Sequence, residues 1–112
     1  MAFISDVTAL SGTTPSISFT GGDVYTVTLS SGITPSFTNP PPAGQSGTVT
    51  IFITQSGSNV YGVTWPATIK WSSGLVHQMT PVLNTTDIVS FTTVDGGATY
   101  YGFIGGQAME TA

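Results

Sequence analysis

The chain is 112 residues long, has no cysteine, and carries only one basic residue against five acidic ones, for a net charge of −4 and a charged fraction of 5%. That length fits one domain, able to bury roughly two-thirds of the surface its unfolded chain exposes, and the missing cysteine excludes disulfides and thiolate metal sites. A single lysine cannot neutralise a run of phosphates or hold an anionic membrane surface, so nucleic acid and membrane are excluded as partners, and no apolar run reaches transmembrane length.

Taken in chain order, the first segment is mildly apolar. Phe3, Ile4, Val7 and Leu10 fit either a short amphipathic helix or an irregular strand. With no basic start and with Asp6 inside it, the segment does not read as a secretory signal. Residues 1–15 read as an N-terminal arm whose apolar residues pack on the domain or on a neighbouring subunit, and residues 16–112 as the domain.

From there the hydrophobic period is two. Ser16–Thr20, Tyr25–Ser30 and Thr48–Thr54 alternate apolar with hydroxyl side chains, the pattern of strands with one face on a core. Threonine, β-branched, favours the strand while supplying the polar face. Turn signals separate the runs: Gly21-Gly22-Asp23, Ser31-Gly32, a stiff Asn39–Gly44 loop with three prolines, and Ser56–Asn59, read as a hairpin tip before Tyr61. Val89–Thr92 and Thr99–Phe103 flank Asp95-Gly96-Gly97, a hairpin in which the glycines supply positive φ. About eight short strands at this spacing predict an all-β fold: a single-domain antiparallel β-sandwich or jelly-roll-like barrel with a short N-terminal arm.

Chemistry-bearing residues are sparse. His77 is the sole histidine. Ser72 and Ser73 lie near it, but they read as a turn, without the strand-to-helix elbow of an activated serine. The acids are scattered, mostly at turns and termini, where aspartate serves the backbone. Asp87 and Asp95 do not form the spaced acidic loop of a calcium site, and neither glycine pair has a phosphate-loop context. No catalytic, cofactor-binding or metal-binding residue is assigned, and the chain does not read as an enzyme.

The segment from Tyr61 to Trp71 concentrates both tryptophans and the only cation, Lys70. Tyr61, Val63 and Trp65 share a strand face, and Pro66 bends the chain before Ile69-Lys70-Trp71. One reading is an aromatic platform on which Trp71 or Tyr101 stacks a sugar. The other, which we take, is a core cluster of Tyr61, Trp65, Trp71, Phe91, Tyr101 and Phe103. Each such ring removes about 150–250 Å² from water, and the lysine stem lies over one of them.

Phe37-Thr38-Asn39-Pro40, Val63-Thr64-Trp65-Pro66-Ala67-Thr68-Ile69-Lys70-Trp71, Asp87 to Gly97 (DIVSFTTVDGG) and Tyr101-Gly102-Phe103 come in an order that resembles a β module recurrent in tailed-bacteriophage virion proteins. The resemblance spans roughly residues 24 to 105. The turn after the second tryptophan departs from it, with Ser72-Ser73-Gly74 where many relatives have Pro or Gly-Gly. Modules of this kind occur in capsid decoration, tail-fibre and tail-tip proteins, so the resemblance implies a virion structural protein and brings no catalytic residue. A module standing nearly alone behind a short arm fits a decoration (cement) protein on the capsid surface. Its partners would be the major capsid protein and copies of itself, as a homotrimer, with Phe3, Ile4, Val7 and Leu10 at the interface. The alternative is a tail module that attaches to host glycans, the one reading in which a glycan is a partner.

Overall fold

The structure, a computed structural model, describes residues 6–21 and 23–111. The described residues form an all-β fold with eight strands: β1 (Val7–Ala9), β2 (Ser16–Ser18), β3 (Val24–Thr28), β4 (Ser36–Thr38), β5 (Gly47–Thr54), β6 (Ile69–Lys70), β7 (Thr86–Thr93) and β8 (Tyr100–Met109), plus a 3₁₀ turn at Ser72–Gly74. Six strands form one sheet in the order β1-β3-β5-β7-β8-β6, and β2 pairs with β4 in a second, smaller sheet.

The alternation seen in the sequence sets the faces. Tyr25 and Val27 of β3, Val49, Ile51 and Ile53 of β5, and Val89 and Phe91 of β7 point to one side and are buried. Their register aligns Tyr25 with Ile51 and Ile51 with Val89, so the apolar rows run straight across the sheet. The hydroxyls fall opposite one another on the other side and pair: Thr48 with Thr92 at 2.9 Å, Thr50 with Ser90 at 2.8 Å, and Thr54 with Thr86 at 2.8 Å. Each such cross-strand pair contributes roughly 0.2–1 kcal/mol.

The β2–β4 layer lies over the buried side. Ile17 is fully buried. Phe37 stacks on Tyr100 with ring centroids 4.4 Å apart and lies 5.0 Å from Phe91, while Phe19 closes on Tyr100 at 5.6 Å.

The expectation of antiparallel pairing is corrected. Only β5/β7 and β7/β8 are antiparallel; β1/β3, β3/β5, β6/β8 and β2/β4 are parallel. Parallel neighbours need a crossover of a dozen or more residues. The stretch from Leu29 to Ser46 provides one between β3 and β5, and on its way it lays β4 on the core. The turn at Gly21 therefore joins strands of two different sheets. Ser56–Asn59 does turn, its Ser56 hydroxyl accepting the Ser58 and Asn59 N–H groups. No return strand follows it; Val63 makes only an isolated bridge to Ile33. The β7–β8 hairpin matches the expectation, with Gly96 and Gly97 at φ 73° and 86°.

Within the expected arm, Val7–Ala9 becomes the edge strand β1 and Leu10 packs half-buried against the core. Phe3 and Ile4 lie outside the described residues.

At the other edge, β6 pairs with Tyr100 and Tyr101 of β8, and Trp71, just past β6, closes on Gly102. A methyl group there would come within 2.6 Å of the Trp71 ring. Gly102→Ala is therefore expected to displace Trp71 and cost about 1–3 kcal/mol, read from urea unfolding; an unchanged midpoint would mean the ring does not pack on β8.

Candidate functional site

Between β5 and β7 the chain makes a connection from Gln55 to Thr85 in which only two residues are strand and three form the 3₁₀ turn. Connections this long without regular structure are uncommon, and this one is fastened by buried polar side chains. Gln55, buried at the end of β5, accepts the Tyr61 N–H at 2.9 Å and donates to the carbonyls of Tyr61 and Thr80 at 2.8 and 3.1 Å.

The second fastening is built on Asp87, which is 0% exposed. The strand phase that turns Val89 and Phe91 inward also turns Asp87 inward. Its Oδ2 faces His77 Nε2 at 2.8 Å and accepts the Thr80 N–H at 3.1 Å. Its Oδ1 accepts the Thr80 hydroxyl at 2.9 Å and the Ala108 N–H at 3.0 Å. Ala108 has φ 50°, within the irregular register where Thr86 opposes Met109 and Ile88 opposes Gly106. The bulge re-aims an amide, and here the amide is aimed at a carboxylate.

His77, also buried, continues the chain of contacts, since the Trp65 Nε1–H donates to His77 Nδ1 at 3.1 Å. An indole nitrogen can only donate. Nδ1 is therefore the acceptor, and the imidazole proton sits on Nε2, directed at Asp87. Burial alone would push the Asp87 carboxyl up. The hydrogen bonds from Ala108, His77 and Thr80 outweigh that and hold it below its ordinary value.

Asp–His pairs orient catalytic bases. In this one the nitrogen that would take a proton from a nucleophile is occupied by an indole, and the nearby Thr80 hydroxyl is spent on Asp87 itself. What the arrangement does is fix Trp65, the 77–80 segment and the end of β8 onto β7. Asp87 lies at the start of β7 and Asp95 in the turn beyond its other end, so the strand, about 20 Å from Asp87 to Thr93, separates them. Among the described residues no group of three His, Asp or Glu side chains gathers as for a metal ion.

Of the six aromatic residues expected in one cluster, the structure brings three together. Trp65 lies 4.9 Å from Phe91 and 5.9 Å from Trp71, and Trp71 lies 5.6 Å from Phe91. Tyr61 is half-buried against the wider core. Tyr101 and Phe103 are corrected: they are 42% and 58% exposed on the opposite face, and the core position belongs to Tyr100. Their strand phase follows from Gly102, which must face Trp71. Of the expected interface residues, Val7 is exposed and Leu10 half-buried.

Among the described residues, no second layer covers the outward face of the large sheet. Across it run Val7–Val24–Thr50–Ser90–Phe103 and Ala9–Thr26–Phe52–Ile88, in register. The next row is Thr48–Thr92–Tyr101, ending at Lys70 on β6. Lys70 is the only charged side chain in these rows. Beside it, Lys70, Trp71, Ser72, Tyr101, Gly102 and Phe103 line a cleft of about 500 Å³.

Comparison with protein-family models, with curated proteins and with solved structures gives no match.

The Asp87 node sets a pH dependence. A carboxyl lowered in the folded state stabilises the fold fully above its unfolded value, near 3.8. That stabilisation is lost as pH falls through the folded value. In Asp87→Asn the amide N–H₂ would face N–H donors whichever way it turned, at an expected cost of ~3 kcal/mol near neutral pH. The stability gap between wild type and Asp87→Asn, measured by urea unfolding, should narrow as pH falls below about 4. A gap of the same size at acid and neutral pH would contradict a carboxylate role.

Proposed function

We propose that the chain is a non-enzymatic structural part of a tailed-bacteriophage particle, and most concretely a capsid decoration protein that bridges neighbouring capsid subunits. The observation that carries the reading is the outward sheet face: rows of threonine and serine interleaved with Val7, Phe52, Ile88 and Phe103, with no charge except Lys70 at one edge. Burying charge against a partner costs several kcal/mol per ion unless it is well paired. Hydroxyls already paired across strands and apolar side chains are covered at far lower cost. The ordered resemblance to phage virion modules supplies the setting, and the face supplies the mode of attachment, including contact between copies in a homotrimer. In fold terms we take the β2–β4 layer on the large sheet as a sandwich-like arrangement.

The second reading, a tail module that attaches to host glycans, is favoured by the exposure of Tyr101 and Phe103 beside the cleft.

The test is location and copy number on purified particles, by quantitative mass spectrometry and labelled cryo-electron microscopy. Decoration predicts copies comparable to the major capsid protein, on the head. Label on the tail would overturn decoration in favour of the second reading, and absence from the particle would overturn both. Attachment should hardly change with salt, since no ion pairs carry it. Phe52→Lys, a charge placed mid-face, should reduce attachment roughly tenfold or more while the isolated protein keeps its melting temperature; attachment equal to wild type would remove this face from the account.

A further inference from the structure

Lys70 is the only basic residue of a chain of net charge −4, and among the described residues the one ion pair is His77–Asp87, so the lysine makes none. It lies in register with Tyr101, at the end of a row of outward side chains. Tyr101 and Phe103 are two residues apart on β8 and project to the same side, about 7 Å from each other along the strand. They are among the most exposed aromatic side chains of the described residues. Beneath them β8 is backed by Trp71, which closes on Gly102, so the two rings stand on a rigid strand rather than on a loop.

We propose that the cleft lined by Lys70, Ser72, Tyr101 and Phe103 binds an acidic saccharide. A pyranose ring has an apolar C–H face, which the exposed rings of Tyr101 and Phe103 can cover, and a hydroxyl edge, which meets the rim of Ser72 and the tyrosine hydroxyl. The acidic group on the sugar pairs with the Lys70 ammonium in a charge-assisted hydrogen bond. A wholly apolar ligand would desolvate Lys70 and Ser72 without replacing their hydrogen bonds. A polyphosphate ligand would meet a single cation in a negatively charged protein. The cleft, about 500 Å³ and half open to solvent, leaves room for a ligand that seats one face on the rings. The inference rests on the rings and the lysine of the free chain and deepens the second, glycan-attaching reading; a capsid covering the outward face would also cover Phe103.

The experiment uses the full chain and four probes: 3′-sialyllactose and trigalacturonate as acidic saccharides, lactose and maltotriose as neutral ones. Binding is followed by amide chemical-shift mapping and by the fluorescence of Trp71, which lines the cleft. The acidic probes should titrate with shifts centred on residues 70–72 and 101–103, and bind roughly fivefold or more tighter than the neutral ones. Lys70→Gln should remove that preference by bringing the acidic probes down to the affinity of the neutral ones, and Tyr101→Ala should weaken all four. Salt raised from about 0.05 to about 0.5 M should weaken only the acidic probes. Both substitutions are at exposed positions, and an unchanged melting temperature confirms that each variant is folded. No titration of any probe at millimolar concentration, equal affinity for acidic and neutral probes, or an acidic preference that survives Lys70→Gln would each overturn the proposal. None of these outcomes depends on particle association, which is measured separately.

Discussion

Among the described residues, the carboxylate of Asp87 is the one full charge carried into the core, and the architecture around it depends on its being satisfied. Removing an ionised carboxylate from water is costly unless donors replace the water. Here the donors come from three separate stretches of chain: His77, Thr80 and Ala108. Each is brought in by a piece of structure that would otherwise have little to hold it. His77 and Thr80 belong to the long connection after β5, and Ala108 to the irregular end of β8. Through His77 the same node orients the Trp65 indole, which packs on Phe91 and Trp71. One charge in the interior thus ties together a loop, a bulge and the aromatic centre of the core. A purely apolar side chain at position 87 would satisfy none of these donors.

That economy has a consequence for the surface. With five acids and one lysine in the whole sequence, the spending of Asp87 inside, and of Asp95 on the Thr99 amide in the β7–β8 turn, leaves the broad outward face of the sheet to hydroxyls and apolar groups. Such a face is easily covered by another protein surface. The exception is the β6–β8 edge, where the lone cation stands beside two exposed rings. The two regions share Tyr101 and Phe103 but differ in chemistry: one presents hydroxyl and apolar side chains, and the other sets a single ammonium beside two exposed rings.

Much of this was legible in the sequence, and the remainder was not for identifiable reasons. The faces of β3, β5 and β7 follow from strict alternation, and the β7–β8 turn follows from Asp95-Gly96-Gly97. Parallel pairing was not legible, because alternation fixes which way a side chain points and says nothing of which strand lies alongside. Thr99 to Phe103 contains aromatic residues at positions of both phases, so Tyr101 and Phe103 could be assigned to the core; the glycine between them is the clue to the true phase, since it is the position over which a tryptophan closes. Asp87 could have been found. It is in phase with Val89 and Phe91, so an inward strand carries a carboxylate that needs donors. The single histidine of the chain was the obvious partner, and only the distance along the connection hid it.

The central claim is that the node around Asp87 makes the Gln55–Thr85 connection and the end of β8 one cooperative unit with the sheet. Native-state hydrogen exchange tests it directly, read at the Trp65 indole N–H and at the Thr80 and Ala108 amides. The account predicts that these three protons exchange only with global unfolding, at the same free energy as the amides of β5 and β7. Exchange at Thr80 and Trp65 through a local opening several kcal/mol below the global value, with β5 and β7 still protected, would contradict it.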